Sequence, residues 1–437
     1  MIPNRSGHLL RVLGVGFGLS VAIGNTVGAG IFRAPGEVAA HLPDSRLFLA
    51  AWIVGGLYAF VGALQIAELG TMLPRSGGQY VFSRYALGEY AGFVVGWSDW
   101  LSTCGSTAAV AIVIAEFSKT LFPGSSQYGV ALGVALSVGM AAAQWRGIRQ
   151  GNVVQNVTSA LKAIAFGALI AAAWTLPSAT PVDASSDLIV PTGLALVTAF
   201  VLALQGVLYT YDGWTGVVYF SEEVREPNTN IPRALFVSVL SITVVYVLVN
   251  LAFLHVLPVQ AIAGEPFAAG AVANVLFGAR GDGVLRVITI VSMLSAINAY
   301  HLMSSRVLFA MSRDGLFSRR GATVNAGGTP TVALFLSTVV SVLFILFGRT
   351  FEKVITVLAF FFIANYTLSF ISLVVLRRRE PDRPRPYRAW GYPWTTALAL
   401  LGSLAFLIGA IAGDTRNSLY ALLLLAASYP SFRLLRR

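Results

Sequence analysis

Stretches of about 20 apolar residues, the length that carries an α-helix across a bilayer, return about twelve times along this chain. They run over residues 12–32, 47–70, 90–118, 127–145, 153–175, 192–219, 233–257, 284–311, 329–348, 354–376, 394–413 and 417–432. The strands of a membrane β-barrel would be about ten residues long and would alternate in polarity. These runs are longer and apolar on every side, so they predict helices. Charge is correspondingly scarce: 11% of the residues are charged and mean hydropathy is +0.74, against about 25% charged in an average soluble domain. A soluble enzyme cannot be surfaced with this composition, and it is far too apolar for disorder. One cysteine, Cys104, excludes a disulfide scaffold and a cysteine-based metal cluster. The expected class is an all-α polytopic membrane protein in contact with lipid, with no cofactor.

The net charge of +11 would suggest nucleic acid in a soluble protein. Here the basic residues sit in short runs between apolar stretches, so they report topology instead. With the N-terminus inside, most of the 30 Lys and Arg residues fall on the inner side, including Arg377, Arg378, Arg379, Arg383, Arg385 and Arg388. The positive-inside rule then places both termini in the cytoplasm. The first span is too long and too interrupted for a cleaved leader. The connection 258–283 contains a mildly apolar piece, 266–278, readable as a short surface helix or a plain loop.

Two spans carry features that a plain membrane helix would not. The first reads Gly24-Asn25-Thr26-Val27-Gly28-Ala29-Gly30-Ile31-Phe32, with Pro35 following. Each glycine weakens a helix by about 1 kcal/mol relative to alanine. The sixth reads Gln205-Gly206-Val207-Leu208-Tyr209-Thr210-Tyr211-Asp212-Gly213-Trp214-Thr215-Gly216, with a carboxylate inside an apolar run. Unwound backbone at membrane depth is tolerated only where protein buries it or it lines a cavity. The N–H groups that open a half-helix attract anions, and the C=O groups that close one attract cations. Two such breaks facing each other suit a zwitterion. The plainer alternative is that the glycines only let helices pack closely. The breaks fall five spans apart, in the first and the sixth, and an odd number per repeat inverts the second copy, as in inverted-repeat transporters.

These residues resemble the amino acid–polyamine–organocation (APC) superfamily of the leucine-transporter fold. Gly28-Ala29-Gly30 is similar to its first-helix motif. Ala67-Glu68-Leu69-Gly70-Thr71-Met72-Leu73-Pro74-Arg75-Ser76-Gly77-Gly78 with Tyr80 resembles the loop after its second helix. Tyr211-Asp212-Gly213-Trp214, then Glu222-Glu223-Val224 and Asn230-Ile231-Pro232-Arg233-Ala234, resembles its sixth helix and the loop beyond. Ser304-Ser305-Arg306-Val307 through Ser312-Arg313-Asp314-Gly315 looks like the end of the eighth helix. Arg385-Pro386-Tyr387-Arg388 with Gly391-Tyr392-Pro393 looks like the entry to the eleventh. The nearest branch is the bacterial relatives of the L-type amino acid transporters.

The resemblance implies a 5+5 inverted repeat with broken helices 1 and 6. Residues 12–176 and 191–377 form the two repeats, and 391–432 form two additional helices. It implies secondary transport by alternating access, sodium-independent, of an amino acid, with a neutral zwitterion expected. The drive would be proton symport or amino acid exchange. The substrate carboxylate falls on Thr26, Val27, Gly28, Ala29 and Gly30, and the ammonium on carbonyls of Tyr209, Thr210 and Asp212. Tyr209 takes the aromatic gate position, and Asn365 lines the side-chain pocket. Ala29 departs from the serine common in the family, which leaves carboxylate binding to backbone N–H groups. In sodium-coupled members of the fold a cation sits between helices 1, 5 and 8. Lys162, with Ser292 and Ser295 on one face of helix 8, stands where its ammonium replaces that ion or ties helix 5 to helix 1. No disulfide-linked heavy chain is implied, because the outer loop 122–127 has no cysteine and Cys104 lies within a span.

Of the other buried-looking charges, Asp99 reads as a structural hydrogen-bonding group and Glu68 as the partner of a loop arginine. The alternatives are a polyamine or other amine permease, and a non-transporting membrane sensor. An enzyme is not expected, since the chain lacks a plausible Ser–His–Asp set or HExxH motif.

Overall fold

The computed structural model describes residues 9, 13–28, 30–145, 148–176, 189–348 and 351–435. Among these residues there are helices and no strands. In chain order they are α1 (Val15–Thr26), α2 (Gly30–His41), α3 (Ser45–Met72), α4 (Gln79–Leu87), α5 (Glu89–Leu121) and α6 (Gly129–Trp145). Next come α7 (Ile148–Thr175), α8 (Gly193–Tyr211), α9 (Pro227–Val256), α10 (Val259–Ile262), α11 (Ala268–Phe277) and α12 (Gly281–Arg313). The series closes with α13 (Thr331–Gly348), α14 (Phe351–Arg379), α15 (Trp394–Gly413), α16 (Thr415–Ala426) and α17 (Ser428–Leu435). Nine described segments are long and apolar enough to cross a membrane. The other three expected spans are the divided pair α1/α2, the 17-residue α6, and α7 with its apolar part Ala163–Thr175.

The two anomalous stretches are interrupted. α1 stops at Thr26 and α2 starts at Gly30, where the glycines remove the helix-holding side chains. The first span also runs on to His41, well past the expected end at 32. α8 stops at Tyr211 because Asp212 turns extended (φ −59°, ψ 150°) and Gly213 takes φ 106°. A 3₁₀ segment, Trp214–Phe220, continues beyond.

α5 and α12 lie at the centre of the bundle, flanked by α4, α6, α13 and α14, and α3 packs along α9. Most of the piece at 266–278 forms a helix, α11, and much of that helix is covered by its neighbours. Ala268, Ala269, Gly270, Val272 and Ala273 are buried against α2 and α12.

Candidate functional site

The breaks face each other. The Tyr246 hydroxyl, from α9, reaches the Thr26 carbonyl at 2.7 Å and the Thr210 carbonyl at 3.0 Å. These carbonyls close α1 and α8, the half-helix ends that carry partial negative charge. Tyr246 has a single hydroxyl proton to share between the two carbonyls, and the Thr26 oxygen also accepts from the Gly28 N–H at 2.8 Å. On the opposite side of the gap, a Cβ at Gly30 would lie 2.5 Å from Thr210 Oγ1, so only glycine lets the start of α2 meet the end of α8. Gly213 is constrained twice: by its positive φ, and by Asn25 Nδ2 only 2.6 Å from where a Cβ would stand.

Along the first break, the Val27 N–H bonds the Ile23 carbonyl and the Gly28 N–H bonds the Thr26 carbonyl. The first N–H groups of α2, from Gly30, have no partner within their own helix. Thr26 Oγ1 is buried without a hydrogen bond. Ala29 lies outside the described residues. α12 holds the end of α1: the Tyr300 hydroxyl reaches the Asn25 carbonyl at 3.4 Å and Asn25 Nδ2 reaches Met303 Sδ at 3.2 Å.

α14 closes the second break. The Tyr366 hydroxyl donates to Asp212 Oδ1 at 2.5 Å, and its ring stacks on Trp214 at 5.3 Å. Tyr209 is buried and stacks on Phe362, one turn earlier on α14, at 6.4 Å. Thr210 Oγ1 bonds back to the Gly206 carbonyl. Asn365 is buried, its Oδ1 accepts from Ser98 Oγ at 2.7 Å, and its Nδ2 has no partner. The structure thus brings Thr26, Gly28, Gly30, Tyr209, Thr210, Asp212 and Asn365 into one region. It adds three tyrosines that no local sequence pattern marks: Tyr246, Tyr366 and Tyr300.

The third group is a separate layer. α7, which carries Lys162, packs against α1 and α12. The Lys162 side chain lies outside the described residues. Ser292 is buried without a hydrogen bond and lines a small cavity with Phe32, Ala165, Phe166 and Leu169. Ser295 spends its hydroxyl on the Ser292 carbonyl at 2.9 Å.

Ion pairs cluster at the two ends. At one, Arg33 pairs with Glu116, and Arg286 pairs with Asp282 at 2.6 Å. At the other, Arg306 and Glu223, both fully buried, pair at 3.1 Å and 3.3 Å. Asp314 accepts from Arg75, Arg84 and Tyr80 there, each at 3.1 Å. Glu68 does pair with arginines, but it is fully buried, bound by Arg377 at 2.7 Å and 2.6 Å, Arg385 at 3.1 Å and the Ala389 N–H at 2.6 Å. Beyond α14, a hydrogen bond from Arg383 holds the Glu380 carboxyl below its usual range. Among the described residues no group of three or more His, Cys, Asp and Glu could hold a metal ion.

Comparison of the sequence with known proteins points to one family. The sequence model for amino acid permeases covers residues 17–427. The serine/threonine exchanger SteT of Bacillus subtilis is 28% identical over 97% of this chain and 96% of its own. The human large neutral amino acids transporter small subunit 2 is 29% identical over 87% of this chain and 72% of its own. The mouse Asc-type amino acid transporter 1 is 29% identical over 87% and 73%. With both breaks inside the matched stretch and a multi-pass helical fold around them, this chain belongs to the amino acid permease family and is a membrane transporter of amino acids, not an enzyme.

Proposed function

We propose that this transporter exchanges neutral amino acids across the cytoplasmic membrane without sodium. The first break, Thr26 to Gly30, holds the carboxylate through backbone N–H groups, and the carbonyls of Tyr209, Thr210 and Asp212 hold the ammonium. Tyr209 covers the substrate, and Asn365 borders its side chain. The observation that carries this reading is the Tyr246 hydroxyl spanning the Thr26 and Thr210 carbonyls, because it brings the carbonyl ends of both half-helices to one point. Exchange of a neutral substrate is favoured by the names of the relatives, a serine/threonine exchanger and a large neutral amino acids transporter.

Residues 12–176 and 191–377 act as the two inverted repeats, with 391–432 appended. The arginine-rich Arg377 end and both termini lie in the cytoplasm. Lys162, on a helix packed against α1 and α12, supplies a fixed positive charge near Ser292 in place of a metal ion.

The test is uptake of labelled neutral amino acids into proteoliposomes, empty or preloaded with unlabelled amino acid, in sodium or choline buffer. With equal pH on both sides, exchange predicts uptake that the preload stimulates and sodium does not, and Lys162→Ala abolishes it. Uptake driven by a sodium gradient, or none from preloaded vesicles, contradicts the proposal.

A further inference from the structure

The buried carboxylates of this chain divide into two kinds. Glu68 and Glu223, fully buried near one end, are each matched by arginine guanidinium groups. Asp99 in α5 and Asp212 at the break are not. Among the described residues no Lys, Arg or His contacts either one. Asp99 is 2% exposed. Its Oδ1 accepts from the Tyr219 hydroxyl at 2.8 Å, and its Oδ2 is buried with no partner.

The surroundings form a single polar cluster of three elements. Ser98, beside Asp99, donates to Asn365 on α14. Tyr366, the next residue on α14, donates to Asp212. Tyr219 belongs to the 3₁₀ segment beyond the break at Gly213. Its carbonyl accepts from the Gly77 N–H at 3.4 Å, and a Cβ at Gly78 would stand 2.6 Å from its ring. Many of the other titratable groups on elements packed against α5 are engaged elsewhere: Tyr80 and Arg84 with Asp314, Tyr85 with Glu380, Arg286 with Asp282, Arg306 with Glu223, His301 with Ser137, Arg313 with Glu222, Arg377 with Glu68, and Tyr300 with the Asn25 carbonyl.

We propose that Asp99 is a proton-binding site and that its proton moves with the amino acid, so that the transporter also performs proton-coupled net uptake. The proposal rests on the transport reading above and adds a second cargo. A charge at membrane depth needs a counter-charge or must be neutralised. The bare, fully buried Oδ2 offers no room for a larger ligand, so the ligand is H⁺. A hydroxyl bonded to an ionised carboxylate is held roughly twice as strongly as one bonded to a neutral acid. Proton binding at Asp99 therefore loosens the grip of α5 on the segment that follows the helix-6 break. Protonation is thereby tied to the half-helix that borders the substrate. The proton is taken from outside and released to the cytoplasm, with no bond made or broken beyond O–H.

The experiment uses purified full-length protein in liposomes with an internal pH-sensitive dye. It measures two things: counterflow at equal pH, and net uptake into empty vesicles under an inward proton gradient. One proton per amino acid predicts about tenfold accumulation per pH unit, with matching acidification of the lumen. Asp99→Asn keeps counterflow and loses both accumulation and acidification. Wild-type counterflow without accumulation or acidification overturns the proton site and leaves exchange standing. Accumulation undiminished in Asp99→Asn overturns the assignment to Asp99. Absence of counterflow and accumulation in wild type overturns the transport reading itself. If Asp99→Asn is inert in both assays, Tyr219→Phe decides. A displaced pH profile of gradient-driven uptake supports the proposal, and an unmoved one overturns it.

Discussion

Gly30 and Tyr246 show how few atoms hold the two breaks together. Gly30 is needed for closeness rather than for backbone freedom, since a methyl group there would stand 2.5 Å from Thr210 Oγ1. Gly30→Ala pushes α2 from α8 at a cost of about 1–3 kcal/mol, and the displacement falls on the proposed carboxylate site. The expected outcome is a protein that still purifies but has a lower thermal midpoint and no counterflow. Tyr246→Phe removes one hydroxyl and two bonds of 2.7 Å and 3.0 Å. Its net cost to stability is about 1 kcal/mol. Transport should fall at least about tenfold, because both half-helix ends lose their common anchor. A kinetic series that found wild-type kcat/KM in Tyr246→Phe would remove this residue from the site.

At the scale of whole elements, sequence marks the breaks well and their supports poorly. Glycine spacing in 24–30 and the Asp212-Gly213 pair announce interruption, because those residues oppose helix in any surroundings. The supports are single aromatics inside uninterrupted apolar helices: Tyr246 on α9, Tyr300 on α12 and Tyr366 on α14. A tyrosine there is indistinguishable from packing until tertiary contact is known. For the same reason 266–278 reads as a short surface helix or a plain loop, although most of it is buried in a helix: its apolar side chains do not say which neighbour covers them. The buried Glu223–Arg306 pair links the loop after helix 6 to α12. Removing one partner leaves a bare buried charge, costing about 3–5 kcal/mol. Thermal unfolding in detergent should show a large loss for Arg306→Met. Glu223→Leu added to it should recover much of that loss. Equal loss in single and double variants would mean that the pair is not what secures this contact.

Across the whole molecule, the apolar runs foretell the described helices closely, since each had to cover a bilayer and the composition left no other surface. What the runs do not foretell is how the interrupted spans approach each other. That approach depends on contacts between residues as distant as Tyr246 and Thr26. The account also commits to a topology. Single cysteines at Arg280 and at Arg383, in a Cys104→Ser background, should label oppositely in right-side-out vesicles, with the first reached from outside. Labelling of both from one side would contradict the inverted arrangement. The most direct test of the central claim, that two facing helix breaks hold the two charged ends of one amino acid, is a competition measurement. Counterflow of a labelled neutral amino acid is challenged with the same compound, with the amine that lacks its carboxylate, and with the acid that lacks its ammonium. The account predicts inhibition by the parent alone, with each truncated analogue weaker by about tenfold or more. Inhibition by the amine as strong as by the parent would contradict it, and would make this an amine permease whose first break binds no carboxylate.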